Sequence, residues 1–291
     1  MKHCNSRRAS QIGRLAKTMM IGSAAAAFLG FSMNAQAQPA CTVDNWTANP
    51  GLSDDDAGYQ GANNRRYGGP CGLRVPFDGE TRLVMFESEQ GEVDYIARFY
   101  AFLDDIDTAD PVIIFAGEGD GDDQVQVWYN FPAANDLTLR ARDQAGTDHD
   151  LTFESVGSGW HSIEFEWHQD ASAEISFIVN SDDQEDELSM TIDTSGLVIQ
   201  SAHLGNAAEA NTGGFADFDD FDSRRSTRPG RLLRGDATDS GNHTGADSDA
   251  VLLERLGLEF APGQPDCTES GSVTGADSDC VLLIRLGLED P

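Results

Sequence analysis

The sequence predicts a mainly β protein: an antiparallel two-sheet sandwich followed by a small α-helical module at the C-terminus. Three observations carry this expectation. Residues 82–222 alternate apolar and polar side chains in short runs separated by Gly, Asp, Asn and Ser, which is the period of half-buried strands. Helical i, i+3, i+4 spacing of leucines is clearest near the end of the chain. There, a loop followed by an apolar run is written twice with a period of 30 residues, Asp236 matching Asp266 and Asp247 matching Asp277.

Residues 1–37 read as a signal peptide. Lys2, Arg7, Arg8, Arg14 and Lys17 form a basic start, Met19 to Met33 is mostly apolar, and Ala35-Gln36-Ala37 is a small-residue cleavage site. The apolar run is too short for a retained anchor, and no other stretch could span a bilayer as a helix. The product is therefore expected to be secreted or extracellular, with the periplasm as the alternative. Cys4 leaves with the signal, so Cys41, Cys71, Cys267 and Cys280 remain, an even number that favours two bridges in an oxidising compartment.

After residue 37 the chain holds 14 arginines, no lysine and all 50 acidic residues, a net charge of −36. Nucleic acid and anionic membranes would repel such a chain, so neither is an expected partner. Divalent cations, saline surroundings and neutral partners suit it.

Residues 38–78 are rich in Gly, Asn and Asp and read as an irregular lead-in, with a first edge strand around Leu73 to Pro76. Residues 79–226 form the sandwich. Its strands are expected at Arg82–Glu87, Val93–Leu103, Val112–Ala116, Gln124–Tyr129, Leu137–Arg142, Leu151–Glu154, His161–His168, Ala173–Val179, Leu188–Ile192, Leu197–Leu204 and Gly214–Phe221. Val93, Tyr95, Ala97, Phe99 and Ala101 share one face of the second, and Ile163, Phe165 and Trp167 alternate with Glu164 and Glu166. One face of each strand should pack inward and the other meet water.

The block resembles the concanavalin A-like or laminin G-like jelly roll. The residues that carry this are Tyr95–Phe102 (YIARFYAF), Gly159–Trp167 (GWHSIEFEW), Ile175–Val179 (ISFIV) and Gly214–Phe221 (GFADFDDF). The resemblance implies glycan or protein binding, sometimes with calcium at a loop edge; some members cleave glycans. No catalytic residue is assigned here. Glu164 and Glu166 have the i, i+2 spacing of a glycosidase pair, but they alternate with the core residues and read as a solvated face. A compact run of three acids is missing, and nothing in the sequence brings His161, His168, Arg98 and Tyr100 together as a lyase would need. No GxSxG, HExxH or P-loop is present.

Two acidic clusters are further candidate cation sites, with solvated turn acids as the plainer alternative. One is Asp120, Asp122 and Asp123 between two strands; the other is Asp219 and Asp220 in the last strand. Trp128, Tyr129 and Trp160 could stack on sugar rings or belong to the core. Residues 227–234 are an arginine-rich linker holding Pro229 and Gly230.

Residues 235–291 hold the duplicated loops. Counting from Asp236 as position 1, oxygen donors fall at Thr238 (3), Ser240 (5), Asn242 (7, backbone carbonyl) and Asp247 (12), with Gly241 at the sharp turn. The second copy places Asp266, Thr268, Ser270, Ser272 and Asp277 at the same positions around Gly271. This is the spacing that wraps one Ca2+ ion. Only two carboxylates per loop predict weak sites, with dissociation constants on the order of 10⁻⁴–10⁻³ M. Val251, Leu252, Leu253, Leu256 and Leu258 form the apolar face of the helix that follows, which Gly257 should end.

A duplicated loop with Asp at position 12, a Gly-Asp start and an LL-x-R-L helix resembles a dockerin domain. Thr238, Ser240, Thr268 and Ser270 depart from that family's usual Asn and Asp. The resemblance implies Ca2+ and a cohesin-like protein or cell-surface scaffold as partner. The two copies also bear on the cysteines. Positions 237 and 250 are Ala in the first copy, while 267 and 280 are Cys in the second, so the paired change predicts a Cys267–Cys280 bridge and leaves Cys41–Cys71. Together these readings favour a secreted, non-catalytic protein that binds a glycan (a polysaccharide) or a surface, with a calcium-stabilised docking module. A dockerin-bearing glycoside hydrolase or polysaccharide lyase is the alternative, and a structural matrix component a second one.

Overall fold

The alternation described above becomes strands β1 (Ala57–Gly58), β2 (Gly72–Asp78), β3 (Arg82–Glu92), β4 (Asp94–Phe102), β5 (Val112–Gly119), β6 (Asp122–Asn130), β7 (Asp136–Arg142), β8 (Asp148–Phe153), β9 (Trp160–His168), β10 (Ala173–Val179), β11 (Leu188–Ile192), β12 (Ile199–Asn206) and β13 (Thr212–Arg224). The repeats supply helices α1 (Gly245–Arg255) and α2 (Gly275–Arg285). The computed structural model describes residues 41–43, 46, 52, 57–58, 65–69, 71–108, 110–130, 135–208 and 212–289. The expected signal peptide at 1–37 lies outside the described residues, as does much of the lead-in. Among the described residues no helix is long and apolar enough to cross a membrane.

The strands form two antiparallel sheets, ordered β1-β2-β13-β4-β9-β10-β11 and β3-β12-β5-β6-β7-β8. The fold is a jelly-roll sandwich. Inward side chains from both sheets make one core. Tyr95, Ala97, Phe99 and Ala101 of β4 and Ile163, Phe165 and Trp167 of β9 meet Val112, Ile114 and Phe115 of β5, Val125, Val127 and Tyr129 of β6, and Leu137 and Leu139 of β7. Phe115 and Phe165 join the sheets edge to face at 4.9 Å. Val93 departs from the expectation: it is 46% exposed, because β4 begins only at Asp94.

Two local features follow from turn and bulge chemistry. β5 and β6 are joined by Asp120-Gly121, both with positive φ (53° and 87°), the type I′ geometry that suits a two-residue hairpin. In β13 the register shifts between Asp219 and Asp222, and Asp220 has φ 46°. This bulge explains the irregular alternation in Gly214–Phe221: Ala216 and Phe218 point into the core, Asp217 and Asp219 away from it.

The outer face of the seven-stranded sheet is not the solvated surface that alternation implied. β4 is buried on both sides, with Ile96, Arg98, Tyr100 and Phe102 each at most 6% exposed. Glu164 is likewise only 6% exposed. The covering comes from residues 65–67, from the arginine-rich segment before the repeats and from the repeats themselves.

Each repeat helix starts with a reciprocal capping box: Thr244 with Asp247 and Thr274 with Asp277. Gly257, at φ 65°, ends α1 by donating to the carbonyl of Glu254. Ala237, Val251, Ala261, Cys267, Cys280, Val281 and Ile284 form a small core. Leu252, Leu256 and Leu258 do not join it and are 44%, 60% and 62% exposed. Both expected bridges are present, Cys41–Cys71 and Cys267–Cys280. They fit an extracellular or periplasmic location.

Candidate functional site

In the first loop the oxygens proposed from spacing do converge. Asp236 Oδ1 lies 3.4 Å from Thr238 Oγ1 and 3.3 Å from Ser240 Oγ. Thr238 Oγ1 lies 2.6 Å from Asp247 Oδ1, and Ser240 Oγ lies 3.0 Å from the Asn242 carbonyl. The second loop repeats the pattern: Thr268 Oγ1 to Asp266 3.3 Å and to Asp277 2.7 Å, Ser270 Oγ to Asp266 3.3 Å and to the Ser272 carbonyl 3.2 Å. Oxygens about 2.4 Å from a common hard cation stand roughly 3 Å from one another, so this donor set fits Ca2+ in kind and spacing. The loop wraps because Asp236 also accepts from the backbone amides of Ser240 and Gly241, as Asp266 does from Ser270 and Gly271.

Two carboxylates facing one point titrate as a pair. Burial and the neighbouring Asp277 charge push Asp266 up to about 7. In the first loop burial also raises Asp247, but hydrogen bonds from Thr238 and Thr244 outweigh it and hold the carboxyl below its ordinary value. Among the described residues no group of three or more His, Cys, Asp or Glu is placed to hold a metal. A cation held in these loops would have to take the rest of its ligands from hydroxyls and carbonyls.

The other acidic candidates do not converge. Asp120 accepts from Gln200, Asp122 pairs with Arg142, and Asp123 accepts from Gln126. Asp219 is buried and accepts from the backbone amides of Tyr67 and Gly68, so it anchors the 65–69 segment. Burial and the charge of Asp220 push Asp219 well up. Asp220 lines a cavity of about 260 Å³ with Asp236, Asp239 and Gln264.

Of the three aromatics proposed for stacking, Tyr129 belongs to the sandwich core and Trp160 to a separate buried cluster with Tyr67, Tyr100 and Phe102. Only Trp128 is half-buried, on the outer face of the six-stranded sheet. Its indole donates to Gln126 Oε1 at 2.9 Å, Gln126 donates to Asp123, and the Arg140 guanidinium lies 5.1 Å above the ring. Strand pairing places Phe86, His203, Ala116, Gln126, Arg140 and Asp150 in one row across this face. His203 contacts Phe86, with centroids 5.0 Å apart, and pairs with Glu118 at 3.5 Å. Burial, then the charge of Glu118, raise Asp123.

On the other sheet, Glu164 and Glu166 are held by the segment before the repeats. Gly230 donates its amide to Glu164, and Arg228 binds Glu166, Glu187 and Ser176. Burial raises Glu164. His168 bonds Glu166 at 3.2 Å and Asp94 at 2.8 Å, chiefly the former pushing it up to about 9. His161 and His168 lie on opposite faces of β9, so the residues considered for a lyase are not assembled. An open polar groove of about 540 Å³ lies between Glu166, His168, Glu187, Ser189 and Arg228.

Sequence reasoning missed Glu254, Glu269 and Tyr67, which fix the repeats to the sandwich. A signal for Glu254 was present. From Thr244 to Glu259 the copies differ only at Ala250/Cys280 and Glu254/Ile284. The first difference makes a disulfide and the second an ion pair with Arg66.

No family model and no curated protein matches the chain. Among solved structures it is similar to the botulinum neurotoxin type G receptor binding domain, at TM-score 0.40 and 13% identity over 55% of this chain and 40% of that one. It is also similar to an alginate lyase from Pseudomonas aeruginosa, at 0.41 and 15% over 58% and 88%. A family 7 alginate lyase seen in complex with substrate stands at 0.41 and 13% over 55% and 80%. None of these likenesses bears on which residues act.

Proposed function

We propose that the chain is an exported, non-catalytic protein that binds a glycan, or a glycan-coated surface, on the outer face of its six-stranded sheet, and that a dockerin-like module stabilised by Ca2+ follows the sandwich. The observation that carries this is the Trp128 face. There Trp128, Gln126 and Asp123 are chained along β6, Arg140 reaches over the Trp128 ring from β7, and His203 of β12 pairs with Glu118 of β5. An aromatic ring among preorganised planar polar groups is the composition of a sugar-binding surface. The test is binding of the full chain to a panel of neutral and acidic polysaccharides, with Trp128→Ala alongside. Truncating a central aromatic anchor should weaken binding by about tenfold or more. Equal binding by the variant, or no binding to any member by the parent, would overturn the reading.

One observation favours an enzyme instead. Glu118 and Asp123 stand opposite each other across the β5–β6 hairpin, and Asp123 is raised. Two carboxylates flanking the scissile bond are the requirement for acid–base glycan cleavage. Release of reducing ends or unsaturated products by the parent, lost in Asp123→Asn, would establish this alternative.

The exposed Leu252, Leu256, Leu258, Leu282, Leu286 and Leu288 support a protein partner for the module, of the cohesin-like kind implied by the resemblance. Calorimetric titration of the full chain with Ca2+ tests the ion sites, two ions per chain being expected.

A further inference from the structure

The second loop does two jobs with alternate residues of one short stretch. Asp266, Thr268 and Ser270 turn toward the candidate ion position, whereas Glu269 and Gly271 turn toward the sandwich. The Glu269 carbonyl accepts from the Trp160 amide at 2.8 Å. Its carboxylate accepts from Tyr67 Oη at 2.6 Å and from Arg231 Nη2 at 2.7 Å. The fit leaves no space on either side. A Cβ at Gly159 would stand 2.5 Å from the Glu269 carbonyl oxygen, and one at Gly271 would stand 2.6 Å from the Phe102 ring.

What the loop covers is an aromatic surface. Phe102 and Trp160 are cross-strand neighbours on the outer face of the seven-stranded sheet, and Tyr67 stacks on Tyr100 with centroids 3.6 Å apart. All four rings are at most 5% exposed. Further along the same face, past the Arg98–Glu164 pairing that Gly230 caps, lies the polar groove around Glu166 and Arg228.

We propose that a divalent cation in the second loop locks the repeat module over the aromatic end of the seven-stranded sheet, so that cation binding controls access to that face. The proposal rests on the cation reading of the loops. Its physical basis is that residues 266–272 cannot hold the sandwich contacts without the wrapped conformation, in which Glu269 and Gly271 have φ of 57° and 86°. That conformation brings Asp266 and Asp277 to one point, where the two carboxylates, when both ionised, repel unless a cation lies between them. Without the cation the wrap opens, Glu269 leaves Trp160 and Tyr67, and the rings are uncovered.

The experiment is amide hydrogen exchange on the full chain in Ca2+ and in chelator, with ion stoichiometry measured in parallel. The Trp160 amide, which donates to Glu269, should exchange at least tenfold faster in chelator. The Phe165 amide, deep in β9, serves as reference and should not change. Glu269→Gln, which keeps every candidate ion ligand, should bind the same number of ions yet lose protection at Trp160 even with Ca2+ present. Ions bound with Trp160 protection unchanged would overturn the lock while leaving the cation sites standing. No ions bound would remove both. Equal loss of protection at Trp160 and Phe165 would mean global unfolding and would also overturn it.

Discussion

Glu254 places both carboxylate oxygens on Nη2 of Arg66, at 2.7 and 2.6 Å, with the Arg66 side chain fully buried and that of Glu254 only 5% exposed. This pair ties the first repeat to the segment beside the sandwich. The second repeat puts Ile284 at the same position and buries it in the small core instead. One residue therefore distinguishes the copy that docks through an ion pair from the copy that docks through its loop.

Removing the acid strands a buried cation. Glu254→Ile, which copies the second repeat, should destabilise the chain by about 3–5 kcal/mol. Urea unfolding measures this; a loss below about 1 kcal/mol would show that water reaches Arg66 and that the pair is superficial.

Replacing Cys267 and Cys280 together by Ala reproduces the first repeat, whose Ala237 and Ala250 sit at the same places. The bridge spans 13 residues. Its loss should lower stability by about 3 kcal/mol in the loop-entropy account. Thermal unfolding of the double variant, compared with the parent with both of its bridges formed, gives the value.

Gly159 has φ 103° and no room for a Cβ beside the Glu269 carbonyl. Gly159→Ala should cost more than the ~1–2 kcal/mol of positive φ alone, because it also pushes the second loop off the sheet. Limited proteolysis within residues 223–234 should then accelerate. A fully resistant variant would show that the loop tolerates displacement.

Two histidines set opposite pH slopes. His168 is pushed up to about 9 from its ordinary 6.5 by Glu166 and then Asp94, so its stabilisation is complete below pH 6.5 and fades toward pH 9. Burial pushes His161 down to about 4, so its neutral form supports the fold above pH 6.5, and that support is lost as pH falls toward 4. Stability from these two groups should peak near pH 6.5. Melting temperatures across pH 4–9 test this, and His168→Gln should flatten the alkaline limb only.

The period-2 runs were enough to locate the strands, since alternation reports directly which side chains face a core. The repeat located both loops and the Cys267–Cys280 bridge, because copies of one motif can be compared residue by residue. What alternation could not show was what lies on the far side of a sheet. Arg98, Tyr100, Phe102 and Glu164 alternate outward and are outward, yet they are buried, because residues 65–67 and the segment around Gly230 and Leu232 fold over them. Likewise Arg228 read as part of a linker and instead holds Glu166 and Glu187 together. Local alternation determined the strands, and comparison of the two copies determined the paired cysteines. Only the tertiary structure decided which sheet face is covered, since that depends on long-range ion pairs and close glycine contacts that no local pattern encodes.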